Sequence, residues 1–124
     1  MFPSHDREKI DLVLVDGVAD LCADVNDIIS TRELTQKFME WTDKYNCALV
    51  GVIHTNWNSN KATGHLGSFL QKKVESLITI KREDKNVKVI CEMSRNRSFE
   101  DFDFAINKWG YPYVLGAEIT SVPF

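Results

Sequence analysis

The chain has 124 residues, with 15 basic and 18 acidic side chains and a net charge of −3 at neutral pH. This length suits one domain, and no apolar run approaches the ~18 residues of a membrane-spanning helix, so we predict a cytoplasmic protein without a membrane partner. The three cysteines, Cys22, Cys47 and Cys91, lack metal-ligand spacing and fit a reducing compartment. The acidic balance argues against a uniformly basic nucleic-acid surface, but it permits a local patch.

The first half of the chain predicts a β-α-β unit. A nearly continuous apolar run, Ile10 to Val15, ends at Asp16, which is typical of a parallel strand covered on both faces. Ser30 and Glu33 form a capping box, which predicts the start of a helix. The apolar positions of that helix are Leu34, Phe38, Trp41 and Tyr45. A second short apolar run, Ala48 to Ile53, then predicts a parallel strand reached by a right-handed crossover.

The second half predicts antiparallel strands after a polar loop and a short helix. Leu77 to Lys81 and Val87 to Met93 flank a charged turn, and the second segment alternates as one face of a hairpin strand does. Phe102 to Ile106 alternates too, and a last strand is predicted at Tyr111 to Leu115. We therefore predict an α/β fold whose parallel β-α-β core is extended by antiparallel strands.

Polar residues follow both predicted parallel strands. In open α/β sheets ligands bind beyond the carboxyl ends of the strands, where Asp16, His54 and Asn56 are expected. A carboxylate there can hold Mg²⁺ through water beside a nucleotide phosphate, and Asp20 offers a second acid. His54 and Asn56 can sense a terminal phosphate. The alternative is that Asp16 only caps a turn and that its polar neighbours are satisfied locally.

Other polar segments allow contacts with nucleic acid or phosphate. The loop with Trp57 and Lys61 combines an aromatic ring and a cation, which suits a single strand, although such loops are often only solvated connections. Arg95 and Arg97 follow a strand, where a guanidinium can reach the phosphates of a neighbouring subunit or form a surface ion pair. Six further basic residues are interpreted as solvated surface: Lys72, Lys73, Lys81, Arg82, Lys85 and Lys88.

The order of these segments resembles the second half of a RecA-like ATPase core. The matching segments are KIDLVLVDGVADL, a capped helix, ALVGVIHTN, a polar loop, a helix from GHLGS, a hairpin and MSRNRSF. The resemblance runs from Lys9 to about Leu115. Within that class the chain is similar to the RepA-type branch, which comprises hexameric helicase-like ATPases of plasmids and mobilisable elements.

The resemblance implies a role for each matching residue. Asp16 is expected to be the Walker B acid that holds Mg²⁺ through water, and Asp16 and Asp20 would bind the cofactor. The residues with implied catalytic roles are Asp16, His54, Asn56, Arg95 and Arg97. His54 and Asn56 would form the polar sensor, and Arg95, or less directly Arg97, would reach across a subunit boundary. The residues of the DNA-facing loop are Trp57, Asn58, Lys61 and Gly64.

The chain departs from this class in one respect. The Gly-rich phosphate-binding loop should lie well before Asp16, but only 15 residues of the chain precede Asp16, and they do not contain this loop. The catalytic glutamate of the class belongs to the same missing half. We therefore expect residues 1–124 to form a single, partial RecA-like domain. It would be a fragment of an oligomeric, DNA-dependent ATPase that acts in replication or mobilisation of a mobile element.

The parent would use ATP and Mg²⁺, bind single-stranded DNA and assemble from identical subunits. The isolated chain, without its N-terminal ATPase half, would bind no cofactor and be inactive. The alternative function is a non-enzymatic DNA- or protein-interaction module that kept the sheet and lost nucleotide binding. A phospho-receiver domain, which DLVLVDG also resembles, is excluded because its earlier acidic strand has no counterpart before Asp16.

Overall fold

The computed structural model describes residues 9–55 and 64–116, which divide into two compact units at Lys73 and Val74. The first unit contains β1 (Leu12–Asp16), a 3₁₀ turn (Val18–Leu21), α1 (Ile28–Tyr45), β2 (Ala48–Val52) and α2 (Gly64–Lys73). The second contains β3 (Ser76–Glu83), β4 (Asn86–Ser94), β5 (Phe102–Ile106) and β6 (Pro112–Val114). Within these ranges no helix has the length and apolar character needed to span a membrane.

The first unit is the predicted β-α-β arrangement. β1 and β2 pair in parallel, from Leu12 opposite Ala48 to Asp16 opposite Val52, and α1 connects them. The buried core consists of Val18, Leu34, Phe38 and Leu66. Leu34 and Phe38 come from the predicted apolar positions of α1, and Leu66 comes from α2. The helical spacing read from the sequence therefore identifies the core face of α1 as far as Phe38, whereas the other two predicted positions, Trp41 and Tyr45, are exposed.

The two faces of the β1–β2 sheet differ in exposure, so the prediction that β1 is covered on both faces is wrong for the described residues. Val15 and Leu49 pack against the helical core. On the other face Leu14 is 71% exposed, and Leu12, Val50 and Val52 are exposed too. Successive side chains of a strand point to opposite faces, and the helices α1 and α2 cover only one of them. The continuous apolar run supplies apolar side chains to both faces of β1, but helices pack on only one of these faces.

The strands of the second unit form a separate antiparallel sheet in the order β3-β4-β5-β6. The prediction that antiparallel strands extend the parallel sheet is therefore wrong for the described strands. Short connections explain the difference, because a tight turn at Asp84–Lys85 joins β3 to β4, and one at Lys108–Gly110 joins β5 to β6. Strands joined by tight turns pair with each other first. The α/β class holds, but with two sheets.

The register of the antiparallel sheet gives one mainly apolar face, which also carries Arg82, and one mainly polar face, which also carries Ile90. Residues of the apolar face include Ile78, Ile80, Val87, Val89, Cys91, Phe102, Phe104 and Val114. Residues of the polar face include Thr79, Lys81, Lys88, Asp103, Ala105 and Tyr113. On the apolar face Val89 is buried, whereas Ile80 is 65% exposed. Aliphatic side chains on both sheets are thus accessible to solvent.

The cap of α1 differs from the predicted capping box. The helix starts at Ile28, and its N-cap is Asp27, whose carboxylate accepts the Ser30 backbone N–H at 2.9 Å. The Ser30 hydroxyl instead approaches the carbonyl of Asp24 at 3.4 Å. A charged carboxylate is a stronger acceptor than a hydroxyl, which explains why the earlier residue caps the helix. Asn46, in the left-handed conformation, is the C-cap that ends the helix.

The pKa of Asp27 provides a test of this cap. The backbone N–H of Ser30, followed by its hydroxyl, lowers the pKa of Asp27 below the ordinary value. Because the folded-state pKa lies below the unfolded one, the charge stabilises the fold above about pH 4 and loses this effect as the pH falls further. We expect Asp27→Asn to melt below wild type at neutral pH and the difference to shrink as the pH falls below about 4. Asp27→Ala should melt lower than both. Thermal melts at several pH values measure these differences. A difference in melting temperature between wild type and Asp27→Asn that does not change with pH would contradict the assignment.

Candidate functional site

The carboxyl ends of β1 and β2 meet at one edge of the parallel sheet. Asp16 is the last residue of β1 and pairs with Val52, the last residue of β2. His54 follows two residues later, and both Asp16 and His54 are exposed. This is the edge at which open α/β sheets bind ligands. We call Asp16, Asp20 and His54 the strand-end site.

The chain turns away from Asp16 at Gly17, and Gly51 of β2 permits the next residue to approach closely. The Asp16–Gly17 peptide bond is cis, and Val18, next along the chain, is 1% exposed. Val18 lies on Gly51 of β2, where a Cβ atom would stand 2.6 Å from the Val18 Cγ2 atom. A side chain larger than hydrogen at residue 51 would push Val18 out of the core. The contact between Val18 and Gly51 therefore sets the direction in which the chain leaves Asp16.

The same turn brings a second carboxylate to the strand end. The Asp20 backbone N–H donates to the Gly17 carbonyl at 3.2 Å. The Asp20 Oδ2 atom lies 4.0 Å from the place that a Cβ atom on Gly17 would occupy. The carbonyl of Val52 lies 3.5 Å from that same place. Asp20 is therefore close to the ends of both strands, as its predicted secondary role requires.

The carboxylates of the strand-end site suit one class of metal ion. Among residues 9–55 and 64–116, no cluster of three or more His, Cys, Asp or Glu side chains could hold a metal alone. Mg²⁺ is often held by one or two carboxylates and completes its shell with waters and phosphate oxygens. Asp16 and Asp20 fit this mode, because two carboxylates are too few to complete the coordination shell of the ion without other ligands. The arrangement could therefore hold Mg²⁺ only together with water or a phosphate ligand.

The predicted DNA-facing loop falls mostly outside the described residues. Asn56, assigned to the sensor, and three DNA-facing residues lie there: Trp57, Asn58 and Lys61. Gly64, the remaining member of the set, begins α2 with φ of +63°. A Cβ atom on Gly64 would stand 2.7 Å from both the Val25 carbonyl oxygen and the Asn26 Oδ1 atom. Gly64 therefore lets α2 approach the segment before α1, and its contact with DNA stays a prediction.

The two predicted trans-acting arginines lie in the second unit, after β4. The Arg95 backbone N–H donates to the Glu75 carbonyl at 2.9 Å, and its Nε–H donates to the Val74 carbonyl at 3.1 Å. Both bonds attach Arg95 to the segment that leads into β3. Arg97 is exposed, and its carbonyl accepts the Ser94 hydroxyl at 3.3 Å. The guanidinium of Arg95 is thus oriented by backbone contacts, whereas the side chain of Arg97 lies in solvent.

A groove that the sequence did not reveal lies between α1 and α2. Its volume is about 830 Å³, and Arg32, Met39, Phe69 and Lys72 are among its lining residues. The Phe69 ring has the Arg32 Cζ atom 5.9 Å and the Lys72 Nζ atom 6.0 Å from its centroid. No residue of the strand-end site lines this groove. The groove and the strand-end site are therefore separate features of the first unit.

Comparison with known proteins adds nothing to this geometry. No protein-family model matches the chain, and no curated protein matches it. The function must therefore be argued from the residues themselves.

The contact between Val18 and Gly51 can be tested by a double-mutant cycle. Gly51→Ala should lower the free energy of unfolding by ~1–3 kcal/mol, because the added methyl group overpacks the core against Val18. Val18→Ala should also destabilise, because it leaves a cavity. The double variant should lose less than the sum of the two, since the smaller residue 18 makes room for the methyl group. Urea unfolding gives all three values, and additive losses would show that the two residues do not compete for space.

Binding of a divalent ion at the strand ends can be tested with paramagnetic Mn²⁺ as a substitute for Mg²⁺. Weak, transient occupancy is enough for paramagnetic broadening, so the test does not require stable cofactor binding by the isolated chain. We expect selective broadening of amide NMR signals from residues 16–20 and 52–54, reversed by excess Mg²⁺. Asp16→Asn should abolish the broadening, and Asp20→Asn should reduce it. Asp43→Asn, which removes an exposed acid from α1, is the matched control and should leave it unchanged. Equal broadening around every surface carboxylate would argue that Asp16 merely ends a turn.

Proposed function

We propose that this chain supplies one half of a RecA-like ATP site, and that its parent hydrolyses ATP while acting on DNA. The observation that carries the proposal is the parallel pairing of β1 and β2, which places Asp16 and His54 at one edge. A phosphate-binding loop of the GxxxxGK[ST] type, which the 124 residues do not contain, would supply the other half. The role in replication or mobilisation of a mobile element rests on the resemblance alone.

The residues of the strand-end site would act on a bound nucleotide by position and charge. Mg²⁺ would supply neutralisation of the charge that develops on the phosphates. Asp16 would hold the ion through water, and Asp20 would orient a further water. His54 would contact a terminal phosphate and pass its loss to the polar loop that follows. None of these roles requires a protein-only metal cage.

The parent is proposed to be an assembly of identical subunits in which Arg95 acts across a boundary. The Arg95 backbone N–H is bonded to the Glu75 carbonyl, and its Nε–H is bonded to the Val74 carbonyl, which lowers the entropy cost of presenting the guanidinium to a phosphate. The exposed Leu14 and Val50 offer a surface that the N-terminal ATPase half or another subunit would cover. Both features support assembly without specifying subunit number.

The second candidate is a non-enzymatic interaction module. It is favoured by the exposed aliphatic residues on both sheets, such as Leu14 and Ile80, together with the lack of a phosphate-binding loop in the chain. The two functions differ in whether the charge of Asp16 matters. In an ATPase it is needed for turnover, whereas in an interaction module its removal leaves binding intact.

The proposal predicts the behaviour of Asp16→Asn in a protein or complex that also supplies the phosphate-binding loop. Hydrolysis should be abolished while most of the nucleotide affinity remains, since the charge acts chiefly in the transition state. Arg95→Ala should lower turnover by ~10³ to ~10⁵-fold with little change in affinity. Steady-state hydrolysis and calorimetric titration measure these effects, and Asp43→Asn is the control.

Mixed subunits separate a trans-acting arginine from a structural one. Asp16→Asn subunits mixed with Arg95→Ala subunits should regain part of the activity, because one class of interface receives both intact residues. An absence of rescue, with Arg95→Ala alone within a few-fold of wild type, would refute the shared site. The isolated chain should bind no ATP measurably, because it lacks the amides and lysine that hold a triphosphate. Micromolar binding by the isolated chain would refute the half-site proposal.

A further inference from the structure

Two lysines oppose each other on the polar face of the antiparallel sheet. Lys81 of β3 pairs with Lys88 of β4, and Lys88 in turn lies opposite Asp103 of β5. Like charges directly opposite each other destabilise a sheet, so this pair costs stability that Asp103 offsets only in part. Such a cost is typical of a surface that meets an anionic ligand. The sequence alone suggested only that these lysines decorate a solvated face.

Two tyrosines lie on or beside this face. Tyr113 of the edge strand β6 lies opposite Ala105, and alternation along β5 puts Ala105 on the side of Asp103 and therefore of the lysines. Tyr111 directly precedes β6, and its carbonyl accepts the backbone N–H of Asn107, the residue after β5, at 2.9 Å. Tyr111 is 68% exposed, and Tyr113 is exposed as well. We call Lys81, Lys88, Tyr111 and Tyr113 the lysine–tyrosine face.

The turn that adjoins this face presents a third aromatic ring and another cation. Trp109 is 71% exposed, and the Lys108 Nζ atom lies 4.4 Å from the centroid of its ring. The Asn107 Oδ1 atom accepts the backbone N–H groups of Trp109 and Tyr111, each at 3.0 Å. The Gly110 N–H also donates to the Asn107 carbonyl at 3.0 Å. These bonds order the turn before any ligand arrives, which lowers the entropy cost of binding.

We propose that the lysine–tyrosine face, with Lys108 and Trp109, binds single-stranded nucleic acid. The tyrosine and tryptophan rings stack on bases, and the lysines contact phosphates. Neighbouring strands lie ~4.8 Å apart, so the strands of Lys88 and Tyr113 are ~10 Å from each other. A base on one strand and a phosphate on the other fit this separation. A duplex does not, because its bases are stacked on each other and present no free ring face.

The two faces of the sheet distinguish nucleic acid from a protein partner. Exposed aliphatic side chains such as Ile78 and Ile80 lie on the opposite face, which a protein would be expected to cover. On the lysine–tyrosine face the two tyrosine rings are exposed, Lys81 and Lys88 are half-buried, and Ala105 is buried. Glu83 and Asp103 also lie on this face and balance the charges of its two lysines, so Lys108 of the adjoining turn supplies the excess positive charge. Stacking therefore contributes more than charge, and the salt dependence is shallow.

This inference rests on the DNA-related part of the proposed function and not on the strand-end site. The predicted DNA-facing loop, which includes Trp57 and Lys61, is a different segment of the chain. The experiment therefore uses variants of each segment, together with Asp16→Asn. Asp16→Asn serves there only to relate the result to the strand-end site, and Asp43→Asn, outside both sites, is the variant that should bind oligonucleotide as wild type does.

The experiment measures binding of the whole chain to a labelled oligothymidine of ~20 nucleotides by fluorescence anisotropy. Tyr111→Ala or Tyr113→Ala should weaken binding by about 5- to 100-fold, and Tyr113→Phe, which keeps the ring, should bind as wild type. Lys81→Gln should weaken binding several-fold and raise the melting temperature, because it removes the like-charge pair. Glu83→Gln should strengthen binding. A merely structural role would not produce opposite effects on affinity and stability.

Lys44 and Tyr45 provide the matched control, because they form an exposed lysine–aromatic pair on α1 with 5.1 Å between the Nζ atom and the ring centroid. Lys44→Gln and Tyr45→Ala should leave oligothymidine binding unchanged. A variant in which Trp41 and Trp57 are replaced by phenylalanine leaves Trp109 as the sole tryptophan. Its fluorescence should be quenched by oligothymidine and much less by heparin, which has charge but no bases.

Each contrary result overturns the proposal in a distinguishable way. Equal quenching of Trp109 by heparin or polyglutamate would identify a general anion surface or a site for an acidic protein. Unchanged affinity in every face variant, with loss in Trp57→Ala, would place DNA on the predicted loop and leave the proposed function intact. An absence of binding by wild type would refute the face without affecting the Mn²⁺ test at Asp16. If the tyrosine-to-alanine variants do not fold, the lysine, glutamate and phenylalanine variants decide the question.

Discussion

The contact between Val18 and Gly51 is the constraint on which the first unit depends. It brings the chain back over β2 at once after Asp16, which puts Asp20 beside the strand ends and Val18 into the core. The helices α1 and α2 then pack on the same side as Val18, with Leu34, Phe38 and Leu66 around it. The position of the strand-end site and the choice of the covered face therefore have one cause. A core this small leaves little stability to spare if the contact is altered.

The two units combine strands according to different rules. β1 and β2 are joined through a helix and pair in parallel, so their ends collect polar groups at one edge. β3 to β6 are consecutive in the chain and pair in that order, so their polar side chains are spread over one face of the sheet. The first arrangement suits a small ligand held at a rim, and the second suits an extended ligand laid on a sheet.

Several features could be predicted from the sequence because they depend on neighbours along the chain. The spacing of Leu34 and Phe38 reveals the core face of α1, and the alternation in β5 reveals a strand. The cap was predicted three residues too late, since Ser30 and Glu33 match a common pattern while the stronger acceptor, Asp27, precedes them. Local pattern thus identifies an element more reliably than its end.

Features that depend on pairing could not be predicted in this way. The opposition of Lys81 and Lys88 depends on a two-residue turn and on the register, and neither is visible in composition. The grouping of strands into two sheets depends on which edges meet, which the apolar runs do not encode. The exposure of Leu14 depends on how many layers cover the sheet, because a strand covered on one face can have the same sequence as one covered on both.

The exposed apolar residues on both sheets would also affect how quickly the protein is degraded in a cell. Chaperones and proteases recognise accessible aliphatic surface, and they remove chains that display it for long. A partner that covers Leu12, Leu14, Val50 and Val52 would shield the chain from this surveillance. The steady-state amount of the protein would then follow the supply of its partner rather than its own rate of synthesis. Assembly would in this way control abundance as well as activity.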